Sequence, residues 1–493
     1  MNFPLCLAGS NIYHLFIRCL LLTSMATNSK QTMPIRSNSV EIVNLQDTLT
    51  PFGVRLAGIY MRSFAYVTLK DRLPIILTRI VDNFSRNKEQ IAQKFGENAT
   101  EEIKQMVGFI SQLKNEIVTN KALKILPIVE NDSDNDAADW NKYLKDKTEK
   151  EGATPTWFNT EWLYCECYMY RTLAQKFLLM KALHTYDPFL QQKRDSFTHS
   201  LNTIKILNNY LLDVIDKGTL TELEKKQELL KFIQLNLWGN KCDLSLSGGA
   251  DSDQTGNPIE QLTIFHDDIL DNASDFVWQL LNKQKPNDSN IIDMVLDNAG
   301  YELFTDICLA NFLVKFGLAG KIRFYVKRYP WYVSDANVND FHWILDYMKK
   351  SSNPELKRTA QLSYDNLKNN IWTIEEESYW TGPYELAEMK EKDKVLYAKL
   401  SDAKLVIFKG DLNYRKLLGD INWEYTTSFM QALRGFRPTN ILSLRTIKSD
   451  VCVGLPLGKG EMLYEKDETW MITGKYGLIQ ATVESDCNCS TTC

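Results

Sequence analysis

The stretch "MVLDNAGYELFTD" (294–306) sets a carboxylate and an amide, Asp297 and Asn298, at the end of an apolar run. Gly300, Glu302 and Asp306 follow within one helical length. Other apolar runs end in the same way. Asp335 and Asn337 come after "WYVS" (331–334). Asp411, Leu412, Asn413, Tyr414 and Arg415 come after "LVIFKG" (405–410). Arg445, Thr446, Ile447 and Lys448 stand at the end of "ILSLR" (441–445). Asp297, Asn298 and Asp335 offer hard oxygen donors, a set that suits Mg²⁺ or Mn²⁺ better than Zn²⁺. The chain has five His, and none sits at these positions. Arg415 can grip a phosphate bidentately, and Lys448 can act as a point charge. Gly300 allows close backbone approach, and a helix from about Tyr301 would turn amides toward an anion. A hard metal beside cationic groups is a phosphoryl site in outline.

Each residue also has a plainer role open to it. Asp297 and Asp335 could simply cap the helices that follow them. Arg415 and Lys448 could be solvated surface charges. Glu302 and Asp306, four apart, would share a helix face and repel unless a cation lies between them.

A parallel sheet would bring these clusters together, because open α/β sheets bind ligands at the carboxyl ends of their strands. The second half of the chain has the pattern for one. The runs "IIDMVL" (291–296), "KIRFYV" (321–326), "WYVS", "LVIF" (405–408) and "ILSLR" read as strands. "LANFLVKFGLA", "VNDFHWILDYMKK" and "ELKRTAQLSYDNLKN" read as helices among them. This alternation predicts a doubly wound α/β/α sheet core. The first half is mostly helical, with apolar positions three and four apart in "GVRLAGIYMRSFAYVTLKDRLPIILTRIVDNF" (53–84) and again over 161–238. The acidic, polar stretch 129–157 between them reads as a surface loop or lid. The expected fold class is α/β, with a mostly helical N-terminal part packed on the sheet core. The expected divisions are a disordered extension (1–44), a helical domain (45–245), the α/β/α core (246–482) and a Cys-rich tail (483–493).

Bulk composition narrows the function. The chain has 493 residues, 44% of them hydrophobic, enough for a sizeable core. Its net charge is -5, so nothing points to nucleic acid or an acidic membrane surface. The ten cysteines are scattered without a CxxC pair, which favours a reducing compartment, the cytoplasm with the nucleus as a second location. The tail "CNCSTTC" reads as a frayed polar end, not a soft-metal site. The first residues are apolar, but they lack a basic start, and Asn11, His14 and Arg18 interrupt the run. Neither a signal peptide nor a spanning helix fits. An optional extension with Met25 as an alternative start is the expectation. "SGGADS" (247–252) matches a phosphate loop of ATP pyrophosphatases, yet no good strand precedes it and "DQTGNP" cannot easily open a helix. It reads as a flexible connection.

Taken in order, "DNAGYELFTD", "SDANVNDFHW", "FKGDLNYRKLLGD" and "RTIK" resemble the damage-control phosphatase family. The resemblance is to its subfamily III, sugar-phosphate phosphatases also described as acidic residue methyltransferases, and it spans roughly 45–482. The RTxK mark of that subfamily is Arg445, Thr446, Ile447 and Lys448 here. "WMITGKYGLIQ" (470–480) is a looser version of another typical segment. The resemblance implies a divalent metal, Mn²⁺, Ni²⁺, Co²⁺ or Mg²⁺, on Asp297, Asn298 and Asp335. It implies substrate contacts from these three, from Glu302, from Asp411 to Arg415, and from Lys448. The implied reaction hydrolyses small phosphometabolites such as fructose 1-phosphate and fructose 6-phosphate. Asp297 and Asp335 are the catalytic candidates, and the attacking group is either water or one of these carboxylates. The expected protein is a monomer or weak oligomer.

The competing activity is S-adenosylmethionine-dependent carboxyl methylation of protein glutamate. A glycine-rich cofactor loop should follow the first strand of such an enzyme. "DNAGYE" has a single glycine, and "GLPLGKGEM" (454–462) lies too near the end of the chain to open a βαβ unit. A non-enzymatic binding protein would need none of the clustered hard ligands.

Overall fold

The structure is a computed structural model that describes residues 42, 44–128, 136–242, 257–283 and 290–482. The extension with Met25, the "SGGADS" segment and the Cys-rich tail lie outside the described residues. Among the described residues seven strands form one sheet: β1 (Ile269–Asn272), β2 (Ile291–Val295), β3 (Lys321–Tyr325), β4 (Trp372–Glu375), β5 (Leu405–Lys409), β6 (Ile441–Thr446) and β7 (Gly477–Thr482). Their order is β1-β7-β6-β5-β2-β3-β4. All neighbours pair in parallel except β6 and β7.

The central strands are buried along nearly their whole length, so they read as continuous apolar runs. Successive side chains nonetheless serve different layers, because a strand alternates its faces. Val406 and Phe408 join the core shared with the N-terminal helices, including Leu73, Trp162 and Phe177. Leu405 and Ile407 join the opposite core, with Phe232, Phe312 and Leu345. The earlier helices of the N-terminal half, up to Trp162–Leu178, thus share a core with one face of the sheet, and the later ones, Leu201–Asp216 and Glu222–Gly239, with the other. Tyr301–Lys315 is apolar around most of its circumference and accordingly sits buried between neighbours.

Three segments differ from their sequence reading. "WYVS" is a turn, with φ of 44° at Tyr332 and 69° at Val333. A β-branched residue rarely adopts that left-handed region. Packing imposes it here: Tyr332 stacks on Tyr170, centroids 4.7 Å apart, and Val333 is buried. The region read as a polar loop contains the helix Asp136–Glu151, docked through buried Trp140 and Leu144 and through an ion pair from Asp136 to Arg171. Residues 53–63 form turns and isolated bridges, with helix starting only at Phe64–Val67. Long-range bridges from Arg55 to Ile421 and from Ala57 to Glu161 outcompete local helix there. β1, β4 and β7 stand outside the strands expected from sequence; β1 and β4 are edge strands with half-exposed residues, and β1 is irregular in register.

No helix among the described residues is long and apolar enough to cross a membrane.

Candidate active site

β2 and β5 are neighbours, yet their onward connections lead toward opposite edges of the sheet. Such a switch point opens a crevice beyond the strand ends. The sheet side contributes Asp297, Asp335, Asp411, Leu412, Arg415 and Lys448 to that crevice. The helical half contributes Phe64, Arg72, Trp162 and Glu166, and Tyr332 comes from the left-handed turn. The cavity is about 30 Å³, room for only a water or two, so a hexose phosphate enters only if its walls part.

Asp297 does not cap a helix. Gly300 is the N-cap of Tyr301–Lys315, and Asn337 caps Val338–Lys350 in a reciprocal box with Asp340, which frees Asp335 of that role too. Asp297 Oδ2 instead accepts from Asn240 Nδ2 at 2.7 Å and from Asn298 Nδ2 at 2.9 Å. Asn298 Nδ2 also reaches Glu302 Oε2 at 2.7 Å, and its Oδ1 accepts from Ser334 Oγ at 2.5 Å. Asp335 lies not at a strand end but on an isolated bridge to Asn298, with Lys327 Nζ 3.2 Å from its Oδ2. The main chain clamps the two acidic segments together, Ala336 N donating to Asp297 O at 2.7 Å. Gly410 leaves β5 with φ +79°, and a Cβ there would lie 1.8 Å from Asp297 Oδ2. Only glycine lets the chain pass that carboxylate.

Behind Asp297, Glu302 and Asp306 do share a face, and a cation does separate them. Lys409 Nζ stands 2.7 Å from Glu302 Oε1 and 2.9 Å from Asp306 Oδ1, all three side chains fully buried. Burial alone would depress the ammonium's pKa, but the two carboxylates outweigh it and hold Lys409 above the usual lysine value. Burial likewise pushes Asp306 up, against the pull of Lys409.

The remaining candidates divide by direction. Asp411 Oδ1 accepts from Arg445 Nε at 2.7 Å and from Ser449 Oγ at 3.1 Å, and Leu412 lines the crevice beside it. Asn413 turns away and ties strand ends together, donating to Lys409 O at 2.7 Å. Tyr414 is buried too, its hydroxyl donating to Gln480 Oε1 at 2.8 Å. Neither lines the crevice. Arg415 does, but its guanidinium already holds Asp420 at 2.8 Å and Glu166 at 2.7 Å, over the Trp162 ring. Burial opposes its charge, and those carboxylates keep it firmly protonated. Arg415 is a bracket between sheet and helical half. Within the RTxK stretch, Arg445 bonds the following turn, Thr446 Oγ1 donates to Asn240 Oδ1 at 2.7 Å and Ile447 is core. Lys448 alone of the four lines the crevice, and its Nζ donates to the Asn240 carbonyl.

The family model for the damage-control phosphatase ARMT1-like domain matches residues 68–463, a span that takes in nearly the whole crevice. This chain belongs to the damage-control phosphatase family. A damage-control phosphatase ARMT1 of Danio rerio is 40% identical over 433 residues, which cover 86% of this chain and 96% of the relative. One from Xenopus tropicalis is 42% identical over 433 residues, covering 86% and 98% respectively. A solved DUF89 family protein from Pyrococcus horikoshii overlaps 65% of this chain and 85% of its own at 16% identity. Its TM-score is 0.35.

Several residues of this family member's site have no local signature in the sequence. Arg72, Trp162 and Glu166 line the crevice from the helical half, and Asn240 bonds Asp297 from the same half. Lys409 and Gly410 end the "LVIFKG" run, where strand-end logic could have found them.

Proposed function

We propose that this member is a divalent-metal-dependent hydrolase of small phosphate monoesters, with sugar phosphates such as fructose 1-phosphate and fructose 6-phosphate as its substrate class. One observation carries the reading: two carboxylates, Asp297 and Asp335, line a single crevice together with Lys448 at the sheet's switch point. The donor chemistry suits a hard divalent ion. Asp297 and Asp335 bring carboxylates, and the Asn298 carbonyl has a second lone pair beyond the one taken by Ser334. Gly410 keeps the space beside Asp297 clear of a side chain. Asp297, Asn298 and Asp335 would hold the ion. When bound, it supplies charge to offset the phosphoryl oxygens.

The chain's own groups do the rest. Lys448 donates to a phosphoryl oxygen, which its position and charge allow. Asp411, steadied by Arg445, offers an acceptor to a substrate hydroxyl. Trp162 and Phe64 line the crevice and give it an apolar wall. Asp297 and Asp335 orient the attacking oxygen.

Hard oxygen donors bind divalent ions reversibly, so exhaustive dialysis against EDTA should abolish phosphate release from fructose 1-phosphate, and Mn²⁺ should restore it. Full turnover by the chelated protein would remove the metal from the reading. Calorimetric titration with S-adenosylmethionine should meanwhile give no heat of binding.

Lys448→Met keeps much of the apolar stem and deletes the charge. A charge-assisted bond to a phosphoryl oxygen contributes about 1.5–3 kcal/mol, so kcat/KM should fall roughly ten- to hundredfold. Vanadate should also inhibit the variant less. A ratio near unity, at equal thermal stability and saturating Mn²⁺, would sink Lys448 as the phosphate anchor and turn attention to Arg72.

A further inference from the structure

Asn240 follows the helix Glu222–Gly239 and comes from the opposite half of the chain to every candidate ligand. It is completely buried, and each polar atom of its side chain is committed. Nδ2 donates to Asp297 Oδ2 at 2.7 Å and to Glu302 Oε2 at 2.8 Å. Oδ1 accepts from Thr446 Oγ1 at 2.7 Å. Those partners determine how the amide is turned, because the reverse orientation would set its oxygen against two carboxylate oxygens. The main-chain carbonyl accepts from Lys448 Nζ.

The docking of this residue is tight by design of its neighbour. A Cβ on Gly239 would lie 2.7 Å from Thr305 Oγ1 and 3.4 Å from Glu302 Cα. The glycine lets the helix end press against Tyr301–Lys315, and that contact delivers Asn240 between the acidic and basic sides of the crevice.

We propose that Asn240 is a positioning residue that sets Asp297 and Lys448 for the reaction, a role that rests on the phosphatase reading above. One amide steadies the carboxylate that would hold the metal. One carbonyl, a few bonds away, aims the ammonium that would hold the phosphoryl group. A single residue therefore links the two. Thr446 is the brace that stops the amide from flipping, which gives the second position of the RTxK stretch a purpose although it does not line the crevice.

Two variants test this, Asn240→Ala and Thr446→Val, in the full chain. Hydrogen bonds to charged groups are the strong ones, so Asn240→Ala should lower kcat/KM by about ten- to a hundredfold, with kcat falling by more than KM rises. Calorimetric affinity for Mn²⁺ alone, without substrate, should weaken as well. Thr446→Val keeps the shape of the side chain and removes only the brace, so its loss should be smaller, about three- to tenfold. The double variant should be no worse than Asn240→Ala, because both act through one amide. A purely structural Asn240 would shift the unfolding midpoint and leave kcat per folded molecule and Mn²⁺ affinity at wild-type values; that pattern overturns the proposal. If Asn240→Ala does not fold, Thr446→Val decides alone: a lower kcat and weaker Mn²⁺ binding support the role, and wild-type values for both overturn it. An inactive wild type overturns the phosphatase reading and this role with it, whereas an active wild type matched by both variants overturns the role alone.

Discussion

Asparagine in place of Asp297 should lower phosphate release at least about a hundredfold, the scale expected when a major electrostatic contributor to the transition state is lost. The substitution removes a charge and preserves the shape. Asp297 is buried in the crevice wall, and its Oδ2 accepts from two amides, Asn240 and Asn298. An asparagine oxygen can keep those two bonds. No helix depends on this residue, because Gly300 occupies the N-cap position. The unfolding midpoint should therefore stay close to wild type while turnover collapses. Calorimetry on the same variant should show weakened Mn²⁺ binding. Near wild-type kcat/KM would mean that position 297 matters only for its hydrogen bonds and not for its charge.

Lys409→Met should have the largest effect on stability. Lys409 lies between Glu302 and Asp306 with no exposed surface on any of the three. Removing one partner from a buried ionic cluster typically costs about 3–5 kcal/mol, because the remaining charge is left uncompensated. Chemical denaturation at pH 8 should report a loss of that size. The loss should shrink as pH falls. Without the ammonium, Asp306 must bind a proton to stay buried, and its folded pKa rises further above the unfolded one. The folded state then binds more protons than the unfolded chain, so its stability increases on acidification. Burial already pushes Asp306 above the usual carboxylate range in the presence of Lys409. An equal loss at pH 5 and pH 8 would show that the destabilisation comes from lost packing and not from uncompensated charge.

Much of the sheet was legible because its signal is local. β2, β3, β5 and β6 are short apolar runs that a strand covered on both faces requires, and helices follow or separate them in the order read. Asp297, Asp411 and Lys448 were reached by one rule, that chemistry collects where parallel strands end. Asp335 is the exception, since no strand leads into it. "WYVS" carries the apolar and β-branched character of a strand, yet the stacking of Tyr332 on Tyr170 bends it into a left-handed turn. Asp335 arrives at Asp297 through that turn and the bridge to Asn298. Asn413, Tyr414 and Arg415 follow β5 in sequence, but a helix sends successive side chains in different directions, and only Arg415 of the three reaches the crevice.

The amino-acid sequence by itself determined the class of fold, the strand ends that carry polar groups, and the hard-oxygen character of the donors, since all three depend on residue type and short-range periodicity. The tertiary structure alone decided which charges are still available for a ligand. Arg415 and Lys409 look alike in sequence as cations near strand ends, and both prove to be held by carboxylates, Arg415 by Glu166 and Asp420, Lys409 by Glu302 and Asp306. Asn240 and Glu166 enter the site from helices that precede the sheet, which no spacing rule connects to Asp297. Local pattern reports which face of an element is buried. Which buried polar groups meet depends on how separate elements dock, and in a low-dielectric interior that meeting decides whether a charge stabilises the fold or remains to act on a substrate.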